Sequence, residues 1–214
     1  MGKKPLFVGM SKGNLFITSE LKVLEQIDWF KLLPKELAQI DLFSGKIRVV
    51  PSHKETIAED NLFTAMKKAV KKRLPLPNQP VGVFLSGGLD SSIVASFVSK
   101  YRKDAIYYVL GGDDSLDFLA VQSVIKRFGL QNIRRVSLPS DEKLPELIRK
   151  VVYATESYNP SIISNGLSTF LLARAAHKDG LKVVLTGEGA DELFGGYHHF
   201  QETDTWRETR QQLI

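Results

Sequence analysis

The stretch Val81–Ile93, "VGVFLSGGLDSSI", decides the fold of this chain. Five residues that lean apolar run directly into Ser86–Gly88, and Asp90–Ser92 then opens an apolar pattern with helical spacing. This order predicts a buried strand, a tight turn and the start of a helix. Because ligands bind beyond the carboxyl ends of parallel strands, the turn is the first candidate site.

The rest of the chain repeats this alternation of strand and helix. Apolar runs predict strands at residues 81–85, 105–110, 133–138 and 182–186, and helical spacing predicts helices at residues 91–101, 116–129, 143–155 and 167–180. Near-continuous apolar strands that alternate with helices are typical of a parallel sheet covered on both faces. The predicted fold class is therefore α/β, with a doubly wound parallel sheet.

A different pattern precedes this part of the chain. Short runs punctuated by Gly and Ser predict strands at residues 5–10, 13–19 and 45–50, and helical spacing predicts a helix at residues 20–27. A longer helix is predicted from about Glu55 to Leu74, where "PLPNQP" ends it. We therefore predict a small β-rich segment over residues 1–53 and a second domain over residues 54–214.

Composition excludes several classes of protein. The 214 residues contain no cysteine, which excludes disulfides, thiolate zinc sites and cysteine nucleophiles and fits a reducing, cytoplasmic location. No apolar run approaches the ~18 residues that a membrane span needs. The net charge is +5, and the dense basic patch "MKKAVKKRL" is interpreted as a solvated helix face, with nucleic-acid contact as the alternative.

The first turn carries the chemistry of a phosphate site. Gly87 and Gly88 permit close backbone approach, and successive N–H groups with a following helix N-terminus attract anions. A carboxylate beside phosphate is repulsive unless a cation bridges them, so Asp90 indicates Mg²⁺. The alternative is a plain glycine-rich turn in which Asp90 or Ser91 caps the helix.

A second turn, in "VVLTGEGADELFGGYHHF", also follows a predicted strand. Glu188 lies between Gly187 and Gly189, and Asp191 follows at the start of a short helix. Paired acids at one sheet edge can hold a metal or move a proton, while the alternative is charge complementing a helix dipole. Glu156, in "ATESYNP", has two interpretations: it faces the cleft, or it is a charge at the end of a helix.

Together the two turns carry a family resemblance. "LSGGLDSS" resembles the pyrophosphate-binding loop of N-type ATP pyrophosphatases, and "LTGEGADELFGGY" resembles a segment of class II asparagine synthetases. The similarity covers the residues between them and extends to residues 1–53, which resemble the last part of that family's glutaminase domain. The resemblance implies a glutaminase remnant over residues 1–53 and an ATP pyrophosphatase domain over residues 54–214.

The resemblance implies a ligase that activates a carboxylate with ATP and Mg²⁺, releases pyrophosphate, and forms an amide with ammonia. Glu188 matches the family's general base, and Asp90 and Asp191 match pyrophosphate and metal positions. The other matched positions bind pyrophosphate, adenine or AMP; they are Leu85, Ser86, Gly87, Gly88, Ser91, Ser92, Leu110, Thr186 and Gly187. The implied small-molecule partners are ammonia and a carboxylate such as aspartate. A homodimer is compatible with the resemblance. We expect neither a membrane nor a nucleic acid as a partner.

Three departures from the family pattern qualify these implications. No cysteine is present, so we expect no glutaminase activity. Ser164 stands where the synthetases carry an arginine that holds the aspartate carboxylate, and the family's C-terminal helices with their catalytic lysine would follow Ile214. Two alternatives therefore stay open: a nucleotide-binding module without turnover, and an ATP pyrophosphatase that acts on tRNA.

Overall fold

A computed structural model of the chain describes residues 5–32, 37–41, 44, 46–50, 61–112 and 116–196. They fall into two compact units, the first within residues 1–59 and 146–164 and the second within residues 60–145 and 165–214. The domain boundary predicted at residues 53–54 lies outside the described residues. No helix in the described part is long and apolar enough to span a membrane.

Antiparallel strands form the N-terminal part of the first unit. The strands are β1 (Phe7–Ser11), β2 (Asn14–Thr18), β3 (Trp29–Leu32), β4 (Leu37–Ile40) and β5 (Ile47–Val50). β1 lies between β2 and β3, and β4 pairs with β5 in a separate hairpin. The turn from β1 to β2 places Lys12 and Gly13 at positive φ, which suits a tight hairpin. The predicted β-rich segment is confirmed.

The helix predicted at residues 20–27 is wrong. Only a single 3₁₀ turn, Leu21–Val23, forms there, and Leu24 is already extended. The chain must extend at this point because β3 returns to pair with β1, beginning with Trp29 opposite Met10. Tertiary pairing here overrides the local helical spacing, which is a weak preference.

The chain from Leu62 onward contains the α-helices and the parallel strands. In chain order the elements are α1 (Leu62–Arg73), β6 (Val81–Phe84), α2 (Leu89–Tyr101), β7 (Ile106–Leu110), α3 (Leu116–Phe128), β8 (Ile133–Val136), α4 (Leu144–Thr155), α5 (Pro160–Lys178), β9 (Val183–Leu185) and α6 (Ala190–Phe194). α1 begins at Leu62, because the Asn61 side chain caps it by accepting the Thr64 N–H at 2.9 Å. The predicted start near residue 55 lies outside the described residues.

Helices cover both faces of the sheet in the second unit. Val83 of β6 packs on the face that α1, α2 and α3 cover, in a cluster with buried Val98 and Val121. On the other face, Phe84 and buried Tyr108 pack in a second cluster with residues of α5. The strand order is β8-β7-β6-β9, and all neighbours are parallel. The predicted α/β class with a doubly wound parallel sheet is confirmed.

α5 is longer than predicted and begins seven residues earlier. Its first residue is Pro160, whose fixed φ suits the first turn of a helix. The side-chain oxygen of Asn159 accepts the N–H of Ser161 at 2.9 Å and so caps the helix. The pair Asn159-Pro160 is therefore the sequence signal for the start of α5. Gly166 hides this signal, because glycine is unfavourable inside a helix and suggests a later start.

Arg102 fixes the approach to the central strand β6. The residue is buried, and its side chain forms hydrogen bonds to the Asp104 carboxylate at 2.8 and 2.6 Å. The same guanidinium donates to the carbonyls of Pro75, Leu76 and Gln79 in the segment that enters β6. A planar group with five donors can satisfy all of these acceptors at once, so Arg102 ties that segment to the end of α2.

Candidate functional site

The strand order creates a crevice between β6 and β9. From β6 the chain moves through α2 to β7 and then to β8 on one side, whereas β9 pairs on the other side of β6. The chain thus continues from β6 toward β7 on one side, while β9 lies on the other, and in open α/β sheets ligands bind where the strand order changes side. Both sequence-predicted turns, residues 86–92 and 186–191, follow these two strands.

The first turn is held by its own serines and by one glycine. Ser91 Oγ accepts the Ser86 N–H at 3.2 Å, lies 3.0 Å from Ser86 Oγ, and donates to the Gly88 carbonyl at 3.2 Å. Ser92 Oγ also donates to the Gly88 carbonyl, at 2.6 Å. Gly87 has φ +82°, and a Cβ there would lie 2.8 Å from Cβ of Ala120 in α3. The hydroxyls of Ser91 and Ser92 thus brace the turn from within.

The N-terminus of α2 supplies the donors that an anion needs. Its N-cap is Gly88, which provides no side-chain cap, and the first N–H groups of a helix have no intrahelical partner. These groups and the helix dipole together favour bound negative charge. Because the serine hydroxyls bond within the turn, the backbone N–H groups at the start of α2 are the donors that this turn offers to an anion.

The second turn touches the first at Gly187. A Cβ on Gly187 would lie 2.8 Å from the backbone nitrogen of Ser91 and 2.9 Å from Cβ of Asp90, closer than real Cβ contacts come. The N–H of Glu188 donates to Thr186 Oγ at 3.3 Å, and Gly189 adopts φ +92° before α6 begins. A hydrogen atom is thus the largest substituent that position 187 tolerates while the turns stay in contact.

Two carboxylates meet where the turns touch. Burial raises the pKa of Asp90 above its ordinary value, and the negative charge of Asp191 raises that pKa further. Across the described residues, no group of three or more acidic or histidine side chains could hold a metal ion. A pair of carboxylates completed by phosphate oxygens is nevertheless the donor set that Mg²⁺ takes in nucleotide sites, so Asp90 and Asp191 fit this ion.

The turns open into a cavity of about 340 Å³, within the range of small-molecule sites. Of the sequence-predicted site residues, those lining it are Leu85, Ser86, Asp90, Ser91, Leu110, Thr186, Gly187, Glu188 and Asp191. Gly87, Gly88 and Ser92 do not line the cavity and belong to the turn that supports it. Glu188 is exposed and lines the same cavity as Asp90.

One wall of the cavity was not predicted from the sequence. Asn165, Ser168 and Thr169 of α5 line it and offer amide and hydroxyl groups to a ligand. Glu192 adds a further carboxylate. Glu156 does not line this cavity: its carboxylate accepts the N–H groups of Leu21 and Lys22 in the first unit, at 3.1 and 2.6 Å.

Replacement of Gly187 by alanine is expected to separate the two turns. The new Cβ would overlap the backbone of Ser91, and overpacking of this kind costs about 1–3 kcal/mol of unfolding free energy. We expect Gly187→Ala to lower both stability, measured by denaturant unfolding, and affinity for ATP with Mg²⁺, measured by calorimetry. Gly112→Ala is the control, because a Cβ there meets no atom within 4 Å. Equal stability and affinity in the two variants would disprove the contact.

Comparison with known proteins assigns the family. The model of the asparagine synthase family matches residues 61–214, a span that contains both turns and all four parallel strands. The chain belongs to the asparagine synthase family. Asparagine synthetase B [glutamine-hydrolyzing] of Escherichia coli is 30% identical over 240 residues, which cover all of this chain and 42% of that protein. The putative asparagine synthetase 1 of Methanocaldococcus jannaschii is 37% identical over 65% of this chain and 25% of its own length.

The chain thus spans about two fifths of the Escherichia coli member of the asparagine synthase family. Asparagine synthetase 2 of Lotus japonicus is 31% identical, over 99% of this chain and 39% of the relative. Among solved structures, an NH3-dependent NAD synthetase from Campylobacter jejuni has a TM-score of 0.42 and 14% identity, over 63% of this chain and 59% of that one. This likeness is too weak to add to the family assignment.

Proposed function

We propose that the chain is an ATP-dependent, amide-forming ligase of the asparagine synthetase type. The observation that carries the proposal is the contact of two turns at one sheet edge, an anion site and a carboxylate-bearing turn, in a member of the asparagine synthase family. A carboxylate substrate attacks the α-phosphorus of ATP, which forms an acyl-adenylate and releases pyrophosphate. Ammonia then attacks the acyl carbon and displaces AMP, which leaves the amide.

The first turn holds the phosphates in this scheme. The free N–H groups at the start of α2 bind pyrophosphate oxygens, and Ser86, Ser91 and Ser92 maintain the shape of the turn. Asp90 and Asp191 would hold Mg²⁺, which neutralises phosphate charge when it is bound. Much of the catalysis is therefore the positioning and charge neutralisation of the triphosphate.

The rest of the cavity orients the nucleotide and moves one proton. Leu85 and Leu110 contact the adenine, and Thr186 and Gly187 contact the AMP portion. Glu188 takes the proton that ammonia loses as it forms the new carbon–nitrogen bond. Glu188 is exposed and lines the same cavity as Asp90, so its carboxylate can reach a ligand bound there.

The acceptor is a small carboxylate, and ammonia is the nitrogen donor. Aspartate is the first acceptor to test, although Ser164 provides no positive charge to hold its second carboxylate. Since the 214 residues contain no cysteine, the chain does not release ammonia from glutamine through a thiolate. Ser164 also favours a second candidate function, a module that binds ATP without turnover.

Measurement of pyrophosphate release distinguishes these functions. With ATP, Mg²⁺, ammonium and a panel of amino acids, we expect release that depends on one carboxylate and on Mg²⁺, together with formation of AMP and an amide. Glutamine in place of ammonium should support no amide formation. If ATP binds but no acceptor gives pyrophosphate, the ligase is excluded and the module without turnover is supported.

A further inference from the structure

α1 presents an outer surface made of lysines. Lys67, Lys68, Lys71 and Lys72 are all exposed, whereas Met66 and Val70 pack into the core of the second unit. The helix contains no acidic residue between Leu62 and Arg73. The four lysines therefore lie away from the packed side of α1, whereas Arg73, at the end of the helix, donates to the carbonyl of Ala69.

α2 extends this surface at its C-terminal end. Lys100 Nζ lies 5.9 Å from the ring centroid of Phe63, and Lys71 Nζ lies 6.0 Å from that of Tyr101. We call the set Lys67, Lys71, Lys72 and Lys100 the basic face. The neighbouring cation, Arg102, is already paired with Asp104 and does not belong to it.

Aromatic rings lie among these lysines. Phe63 is 59% exposed, although it also contacts Phe97 at a centroid distance of 5.3 Å. Rings beside cations suit a ligand that has both phosphates and flat bases, because bases stack on rings while lysines neutralise the backbone. Phe63 lies one helical turn before Met66 at the edge of the packed side, and more than half of its surface is open to a base.

An anionic membrane is the other polyanion that a basic helix could bind. A helix that lies in a membrane interface inserts its apolar side among the lipids. The apolar side of α1 is occupied, because Met66 and Val70 pack into the hydrophobic core of the second unit. The basic face can therefore act through charge and ring stacking, which favours nucleic acid over a membrane.

We propose that the basic face binds single-stranded nucleic acid. The lysines contact backbone phosphates, and Phe63 offers its ring to a base. Because lysines that bind phosphates displace counterions, binding is expected to be strongest at low salt. These contacts do not depend on the base sequence of the nucleic acid. This proposal does not rest on the proposed ligase function, since the basic face and the nucleotide cavity share no residue.

Fluorescence anisotropy with labelled single-stranded oligonucleotides tests the proposal. We expect the logarithm of the binding constant to fall linearly with the logarithm of salt concentration. The double variant Lys67→Glu/Lys71→Glu should weaken binding at least about tenfold and reduce the slope by about 1.4, since each phosphate contact contributes about 0.7 for single strands. ATP with Mg²⁺ should not displace the oligonucleotide.

Arg174→Glu/Lys178→Glu is the matched control. Both residues are exposed near the end of α5, which covers the opposite face of the sheet, and the change in net charge is the same. This variant should keep most of the affinity and the slope. The proposal is overturned by any of four results: no binding at low salt, equal loss in the two variants, displacement by ATP, or tighter binding to duplexes or anionic vesicles than to single strands.

Discussion

Glu188→Gln is expected to keep the affinity for ATP and to lose the ammonia-dependent step, with a rate about 10²–10⁴ lower. Glutamine keeps the size of the side chain and its capacity to form hydrogen bonds, but it cannot accept a proton. Formation of the adenylate needs no base at this position, so exchange of labelled pyrophosphate into ATP should persist with the carboxylate substrate. Amide formation, followed by chromatography, should fall.

Glu192→Gln provides the comparison for that variant. Glu192 lines the same cavity and its replacement removes the same charge, yet it lies beyond the contact between the two turns. We expect the rate of amide formation in this variant to stay within a few-fold of the parent rate. The loss of one exposed charge has an effect of about this size. If Glu192→Gln lost more amide formation than Glu188→Gln, Glu188 would not be the base.

Asp90→Asn is expected to have opposite effects on stability and on function. Because the pKa of Asp90 is raised in the folded protein, folding favours its neutral form. The protonated side chain contributes fully to the free energy of unfolding below pH 3.8, and this contribution is lost as pH rises through the raised pKa. The ionised side chain therefore lowers the free energy of unfolding at neutral pH. Asparagine removes that cost, and we expect a higher Tm at neutral pH without ligand.

The same variant should bind ATP with Mg²⁺ at least about a hundredfold more weakly, since even outer-shell partners of a metal are worth 10–100-fold. Thermal unfolding across pH and calorimetry with and without Mg²⁺ measure the two effects. Asp141→Asn is the control, because Asp141 is exposed in a 3₁₀ turn outside the cavity. A Tm gain that is equally large below pH 3.8 would contradict the cause assigned here.

Much of the second unit could be predicted from the sequence because its signals are local. Apolar runs of strand length gave β6 to β9 near their observed bounds, and glycine-rich turns after β6 and β9 marked the site. The predicted parallel sheet followed from alternation alone. Local patterns therefore singled out the two turns that the structure brings into contact.

The remaining features depend on contacts between distant residues. Nothing local distinguishes the helical spacing of residues 20–27 from that of a real helix, and only the pairing of Trp29 with Met10 prevents it. Asn165, Ser168 and Thr169 are ordinary polar positions of a helix until α5 brings them beside the cavity. The approach of Gly187 to Asp90 likewise depends on the pairing of β9 with β6.

That pairing also has a consequence for biosynthesis. Val81 pairs with Val183, so β6 is synthesised on the order of a hundred residues before its neighbour, an interval of several seconds at about 5–20 residues per second. During this interval β6 has an open edge, which is a place where strands of other chains can add. The cavity is complete only after β9 has closed that edge, because the turn that follows β9 lines it. ATP is therefore expected to act as a folding ligand, which by mass action draws nascent chains toward the complete sheet.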